Sequence, residues 1–239
     1  MKKSKRKISC AKMVQSQGFG TRREIVKGVY EGRLRIKGER VENPNTLVEL
    51  ENLEFEWDKK LYHHQEKVLI VMHKKVGEEC SHQPQHHTSV FERLPKHIVK
   101  RGVECIGRLD VETSGVLLFT DDGEYNHQVC SPKSKLPKTY HLRCEDPLEE
   151  SISQLLLDGV ELRKEKKVFK ALSADLNSDG SLTLTISEGK YHQVRRMLGA
   201  LGHKVNYLHR SHVGPWTCDG LKPGEYKEIP LGEWDESRK

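Results

Sequence analysis

Between residues 68 and 73 the chain reads VLIVMH, and between 115 and 120 it reads GVLLFT, two short apolar runs of the length that buried strands have. KTYHLRC (138–144) and SLTLTIS (181–187) instead alternate apolar with polar positions, which is the period of a half-buried strand. KVFKALSADL (167–176) and HKVNYLH (203–209) read as two further strands, and Asn177-Ser178-Asp179-Gly180 supplies a hairpin turn before SLTLTIS. Helical spacing appears near Pro147 to Leu157 and from Tyr191 to Leu201. In the second of these, about 100° per residue puts Tyr191, Val194, Met197, Leu198 and Leu201 on one face. The class implied is α+β, mainly antiparallel.

Upstream the pattern changes. Thr21-Arg22-Arg23-Glu24 has the Ser/Thr-x-x-Glu spacing of a capping box, so a helix is predicted from Thr21 to about Glu31, ended by Gly32. Residues 31–57 read as short alternating strands divided by Lys-Gly-Glu and Asn-Pro-Asn turns. Residues 58–66, DKKLYHHQE, are polar and aperiodic, as a linker would be. Two domains are therefore expected, residues 1–60 and residues 61–239.

Composition narrows the class. At 239 residues and 35% hydrophobic the chain can build a real core. No apolar stretch approaches the ~18 residues of a membrane span, and no apolar segment follows the start MKKSKRKISC, so a cytoplasmic protein with no membrane partner is expected. The six cysteines, Cys10, Cys80, Cys105, Cys130, Cys144 and Cys218, are scattered without a Cys-x-x-Cys pair and read as reduced, packing thiols.

Charge changes the picture more. Residues 1–60 carry fifteen Lys and Arg against nine Asp and Glu, which accounts for the whole formal net charge of +6. Residues 1–40 alone hold thirteen basic and three acidic side chains, a footprint for a polyanion. A solvated basic tail or an anionic lipid surface would share that charge, but the helix behind it favours nucleic acid. Arg22 and Arg23 sit in its first turn, where free backbone N–H groups already attract phosphate, and Lys27 lies on the same face as Arg23. A second basic stretch, residues 187–212, has five Lys and Arg, one Glu and four His.

The candidate chemistry centres on one carboxylate. In GRLDVETSGVLLFTDDG (107–123), Asp110 lies in a loop just ahead of a buried run. No His-Glu-x-x-His or Cys/His spacing accompanies it, and Pro84 breaks any helix that could align His82, His86 and His87, so no metal set is expected. No Gly-rich phosphate loop or dinucleotide fingerprint is present, which weighs against nucleotide-driven work. On the 191–201 wheel Arg195 lies about 90° from the apolar face and can reach a buried edge, whereas Arg196 and His192 are placed for solvent or a phosphate.

Two resemblances then bear on function. Residues 8–60 resemble the αL RNA-binding module of a small-subunit ribosomal protein and several RNA-modifying enzymes, through the second helix opening Thr-Arg-Arg-Glu and the strand Gly32-Arg33-Leu34-Arg35-Ile36-Lys37-Gly38. The opening departs, with Ile8-Ser9-Cys10-Ala11-Lys12 where the module usually has Arg-Leu-Asp-Lys. The resemblance implies RNA contacts by Arg22, Arg23, Lys27 and Arg33. Downstream, GRLDVETSGVLLFTDDG, SPKSKLPKTY and ISEGKYHQVRRM resemble the three ordered motifs of the RNA pseudouridine synthases, in the branch that modifies ribosomal RNA.

That resemblance implies a cofactor-free isomerisation of uridine in ribosomal RNA or a pre-ribosomal particle, by a chain expected to be a monomer. Asp110 would be the catalytic carboxylate, bonding to the nucleoside or removing its C2′ proton. Arg195 would be its countercharge, and Tyr140 would stack on the uracil and help move the C5 proton. Arg108, beside Asp110, would meet the RNA as the nucleotide flips out, or else shape the loop through a salt bridge. His192 and Arg196 would add RNA contacts. Tyr191-His192-Gln193 and TDDGEYNHQVCSP are more similar to members acting on 16S rRNA than to those acting on 23S rRNA, which stays open. One departure is His73-Lys74-Lys75, where the family usually shows Asn-Lys-Pro. Two other classes compete. A non-catalytic assembly factor would explain the basic features alone, and a glycosidase would need a second carboxylate, for which Asp121 and Asp122 are available although helix capping suits them better.

Overall fold

The computed structural model describes residues 7–131 and 136–230; of SPKSKLPKTY, Pro132 to Lys135 lie outside the described residues. The chain divides into two compact units, one holding the chain up to Val68 together with Leu94–Val103, the other Leu69–Arg93 and the chain from Glu104 onward.

In the first unit the capping box forms as predicted. Thr21 Oγ1 accepts from the Glu24 N–H, the Glu24 carboxylate accepts from the Thr21 N–H at 2.7 Å, and the helix runs Arg22–Tyr30. A shorter helix, Cys10–Ser16, packs on it, and Ser9 caps that one. Four strands lie in the order Glu39–Arg40, Leu34–Ile36, Glu54–Trp57, Lys60–His63. Met13, Val14, Ile25, Val29, Leu34 and Phe55 close the core between helices and sheet.

The linker expected at residues 58–66 is instead partly a strand. Asp58 and Lys59 both take positive φ (53° and 65°), turning Trp57 back onto Lys60 in a two-residue hairpin that pairs Phe55 with Tyr62. Asn-Gly or Asp-Gly would have announced that turn; Asp-Lys does not. The first unit accordingly runs eight residues past the boundary expected at 60. It also takes in the helix Lys96–Lys100, whose His97 ring stacks on Phe19 at 4.8 Å. Gly18, at φ +82°, permits that approach, since a β-carbon there would lie 2.0 Å from the His97 carbonyl oxygen.

The second unit is built on a nine-stranded sheet. Its main path runs Ser173–Leu176, Leu182–Ile186, Lys138–Cys144, Val205–Val213, Ser114–Thr120, Leu69–Lys74, Tyr226–Glu228. All pairs are antiparallel except Ser114–Thr120 with Val205–Val213. The α+β class holds. Leu69, Val71, Val116, Leu118 and Val213 share one face and pack with Tyr125, Val129 and Trp216. KVFKALSADL is two strands, Val168–Phe169 and Ser173–Leu176, rather than one. The 147–157 helix starts only at Ile152.

Candidate active site

Asp110 lies in the loop between the strand Glu104–Ile106 and the strand Ser114–Thr120. Two buried cations hold that loop by its carbonyls. Arg210, 2% exposed, donates through Nη2 to the Gly107 oxygen at 2.7 Å and through Nε to the Val116 oxygen at 2.9 Å. Lys74, fully buried, donates through Nζ to the oxygens of Asp110 (3.0 Å), Thr113 (2.8 Å) and Lys75 (2.8 Å). The three strands make this possible, because Gly115 is in register with both Lys74 and Arg210. At φ +110°, Gly115 brings its backbone so close that a β-carbon would lie 2.1 Å from the Arg210 oxygen. Burial pushes the Lys74 ammonium below its ordinary value, opposed by Cys80, Glu78 and Asp110. Carbonyl oxygens of a fixed loop are the partners that keep such a charge tolerable in the interior.

The loop fronts an open pocket of about 820 Å³ to which Asp110, Arg108, Tyr140, His192 and Arg195 all contribute. The residues that sequence reasoning singled out thus share one pocket, but the pairing expected between Asp110 and Arg195 is not the one formed. The Asp110 carboxylate meets His192, Nε2 to Oδ1 at 3.1 Å, whereas Arg195 donates to the Val205 oxygen at 2.8 Å and lies 3.6 Å from the Glu112 carboxylate. The cause is local. The helix begins at Gln193, not Tyr191, and His192 precedes it in the left-handed conformation (φ 49°). His192, expected as an RNA contact, is thus the side chain that meets the Asp110 carboxylate. Tyr191 stacks on its ring at 3.8 Å and is itself 76% exposed.

Tyr140 is buried in the strand Lys138–Cys144, at a register shift between Thr139 and Tyr140. Such an irregularity re-aims a side chain. Arg108 is exposed at the pocket. Arg196 does leave the apolar face, as the wheel predicts, yet it is not free for solvent. Residues 163–165 cover that side, and Arg196 bonds to the Arg163 oxygen (2.8 Å) and the Glu165 carboxylate (3.3 Å). Asp122 caps the helix Gly123–Cys130 by accepting from the N–H groups of Glu124 and Tyr125. That use removes it as the second carboxylate of a glycosidase.

In the first unit Arg22 and Arg23 are exposed at the helix start, and Lys27 pairs with Glu31 at 3.6 Å. Arg33 is engaged internally. Its guanidinium grips Asp58 with two 2.6 Å bonds and lies 4.6 Å from the centre of the Trp57 ring. That bidentate contact holds the Asp58 carboxyl below its ordinary range.

Sequence reasoning missed Lys74, Arg210 and Cys80. A lysine ending the run VLIVMHK carried a faint signal, since a charge one residue beyond five buried positions needs partners. The Cys80 thiol, on the pocket wall, hydrogen-bonds Cys105 and the Leu109 N–H and faces Lys74 and Arg210, which together lower it to about 7 against the effect of burial. The Cys80 hydrogen bond, and after it burial, push the Cys105 thiol up.

Residues 68–200, more than half of the chain, match the family described as RNA pseudouridylate synthase. The chain is similar to the ribosomal small subunit pseudouridine synthase A of Vibrio vulnificus (strain CMCP6), at 37% identity over 90% of this chain and 93% of that protein. It is 34% identical to the protein of the same name from Haemophilus influenzae, over 89% and 92% of the two chains. Among solved structures, a pseudouridylate synthase crystal structure superposes with a TM-score of 0.67 at 32% identity, covering 96% of this chain and 99% of the other. The matched segment carries Asp110, Tyr140 and Arg195, and on these likenesses the chain belongs to the RNA pseudouridylate synthase family.

Proposed function

We propose that this chain converts one uridine of small-subunit (16S) ribosomal RNA to pseudouridine, with Asp110 as its catalytic carboxylate. The observation that carries the reading is the presentation of Asp110: one carboxylate, on a loop held by Lys74 and Arg210, facing an open pocket that Tyr140 lines. The relatives named for the ribosomal small subunit support the choice of RNA.

The target nucleotide leaves its stack and enters the pocket, at a cost of a few kcal/mol that is smallest where the RNA is unpaired. Asp110 then bonds to the ribose or takes the C2′ proton, the C1′–N1 bond breaks, the uracil turns, and C5 bonds to C1′. Tyr140 packs on the base and helps move the C5 proton. Both variants require Asp110 ionised. His192 holds one oxygen of that carboxylate at 3.1 Å, and Arg195 lines the same pocket. Arg108 meets the RNA at the rim. The first unit serves as the αL RNA-binding module, gripping phosphate with Arg22, Arg23 and Lys27. The enzyme works as a cytoplasmic monomer without a cofactor. No helix among the described residues is long and apolar enough to cross a membrane.

The test is carbodiimide-based pseudouridine mapping of 16S and 23S transcripts and partly assembled subunits after incubation with wild-type protein and with Asp110→Asn. One new 16S site made only by the wild type supports the reading. A site only in 23S moves the substrate, and tight salt-sensitive binding with no site on any RNA leaves an assembly factor.

A further inference from the structure

We propose that His73, His209 and Cys218 form a binding site for a zinc-class divalent cation, on the face of the sheet opposite the Asp110 loop. One ligand nitrogen of each imidazole and the Cys218 sulfur lie within 4.8 Å of one another. They come from three separate places, the strand Leu69–Lys74, the strand Val205–Val213 and the turn after Trp216–Thr217. Side chains alternate along a strand, so His73 and His209 face away from their neighbours Lys74 and Arg210, toward the core formed by Val71, Val116 and Val213. His73 is also where this chain departs from the Asn-Lys-Pro pattern.

The hydrogen bonds around the cluster orient it for a metal. His73 Nδ1 lies 2.9 Å from the Leu221 carbonyl oxygen, which can only accept, so Nδ1 carries the proton and the Nε2 lone pair is free. His209 Nδ1 lies 2.9 Å from the Ser114 hydroxyl, and with that hydroxyl accepting the Nδ1 proton, Nε2 is left to face the cluster. A ligating histidine ordinarily has its other ring nitrogen held like this. Cys218 is 8% exposed and closes the inner side, while His73 and His209 are half-buried and leave an outer side for a water as fourth ligand. Two imidazoles with a thiolate suit zinc and cobalt and disfavour magnesium and calcium, which take oxygen ligands. Tetrahedral bonds of about 2.0–2.3 Å place ligand atoms roughly 3.3–3.6 Å apart, so the side chains must draw in by about 1 Å. Cys218 loses its proton as the metal binds.

Purified full-length protein, stripped with a chelator, is titrated with Co(II) and then Zn(II). The expected result is one equivalent of Co(II) with a thiolate-to-cobalt charge-transfer band and tetrahedral visible absorption, both abolished by excess Zn(II). Cys218→Ala removes the charge-transfer band, and His209→Gln weakens binding at least about tenfold. His82→Gln/His86→Gln/His87→Gln leaves stoichiometry and spectrum unchanged. Substoichiometric binding by the wild type, a band that survives Cys218→Ala, or loss of binding in the triple glutamine variant overturns the proposal. Because the wild-type spectrum alone can fail, the test does not depend on any variant folding.

Discussion

The Nε2 of His192 and the Oδ1 of Asp110 lie 3.1 Å apart, and the imidazole reaches that carboxylate because His192 turns left-handed just before its helix. Asp110→Asn keeps the size of the side chain and removes its charge. It should reduce pseudouridine formation to background while RNA affinity, measured by filter binding, stays within a few fold. A large loss of affinity would instead place Asp110 in RNA binding. His192→Gln keeps a donor near the carboxylate but removes the ring. Turnover should fall by about 10- to 100-fold, below the 10²–10⁴ typical of groups that transfer the proton themselves, with little change in KM.

Lys74→Met should cost stability as well as activity. It removes the donor shared by the Thr113, Lys75 and Asp110 carbonyls, of which Asp110 keeps the Thr113 N–H at 3.0 Å, and each buried acceptor left unpaired costs about 1–3 kcal/mol. A loss of about 2–5 kcal/mol lowers the melting temperature by roughly 5–15 °C for a chain of this size, readable by calorimetry. An unchanged melting temperature would mean the loop holds itself.

Cys80 should alkylate first among the six cysteines. Only the thiolate reacts, and a group lowered to about 7 is half ionised near neutrality, so the iodoacetamide rate at Cys80 should rise through about pH 7. An unperturbed thiol would rise through about 8.5. Cys105→Ala removes the largest cause of the lowering and should move the midpoint upward. Cys105→Ser, which keeps a donor, should move it less. Peptide mass spectrometry across a pH series reads all three.

Charge reversal at Arg22 and Arg23 should weaken RNA binding without changing turnover on bound substrate. If both side chains touch phosphate, the salt dependence of log K should flatten by about 1.4–1.8. An unchanged slope, measured by titration at several salt concentrations, would remove the helix start from the RNA footprint.

Much of this site was legible locally. Asp110, Tyr140 and Arg195 all line one pocket, as their motifs implied, and the capping box at Thr21 formed at the expected residues. The hairpin through Lys60–His63 was not legible, since Asp58-Lys59 carries no glycine to signal positive φ. Nor was the partner of Asp110. The wheel placed Arg195 and Arg196 correctly around the helix axis, but a wheel contains neither the 163–165 segment that claims Arg196 nor the Val205 carbonyl that claims Arg195.

By itself, then, the sequence determined what short-range physics decides: the apolar runs that become strands, the capped basic helix, the lone carboxylate ahead of a buried strand, and the α+β class. Only the tertiary structure decided which charges meet. Lys74, Gly115 and Arg210 lie far apart in the chain and become neighbours only through strand register. The same register carries His73 and His209 to the opposite face, near Cys218. Hydrophobic period selects elements one at a time, whereas a buried cation's partners depend on which strands pair and in what alignment, and no local pattern encodes that alignment.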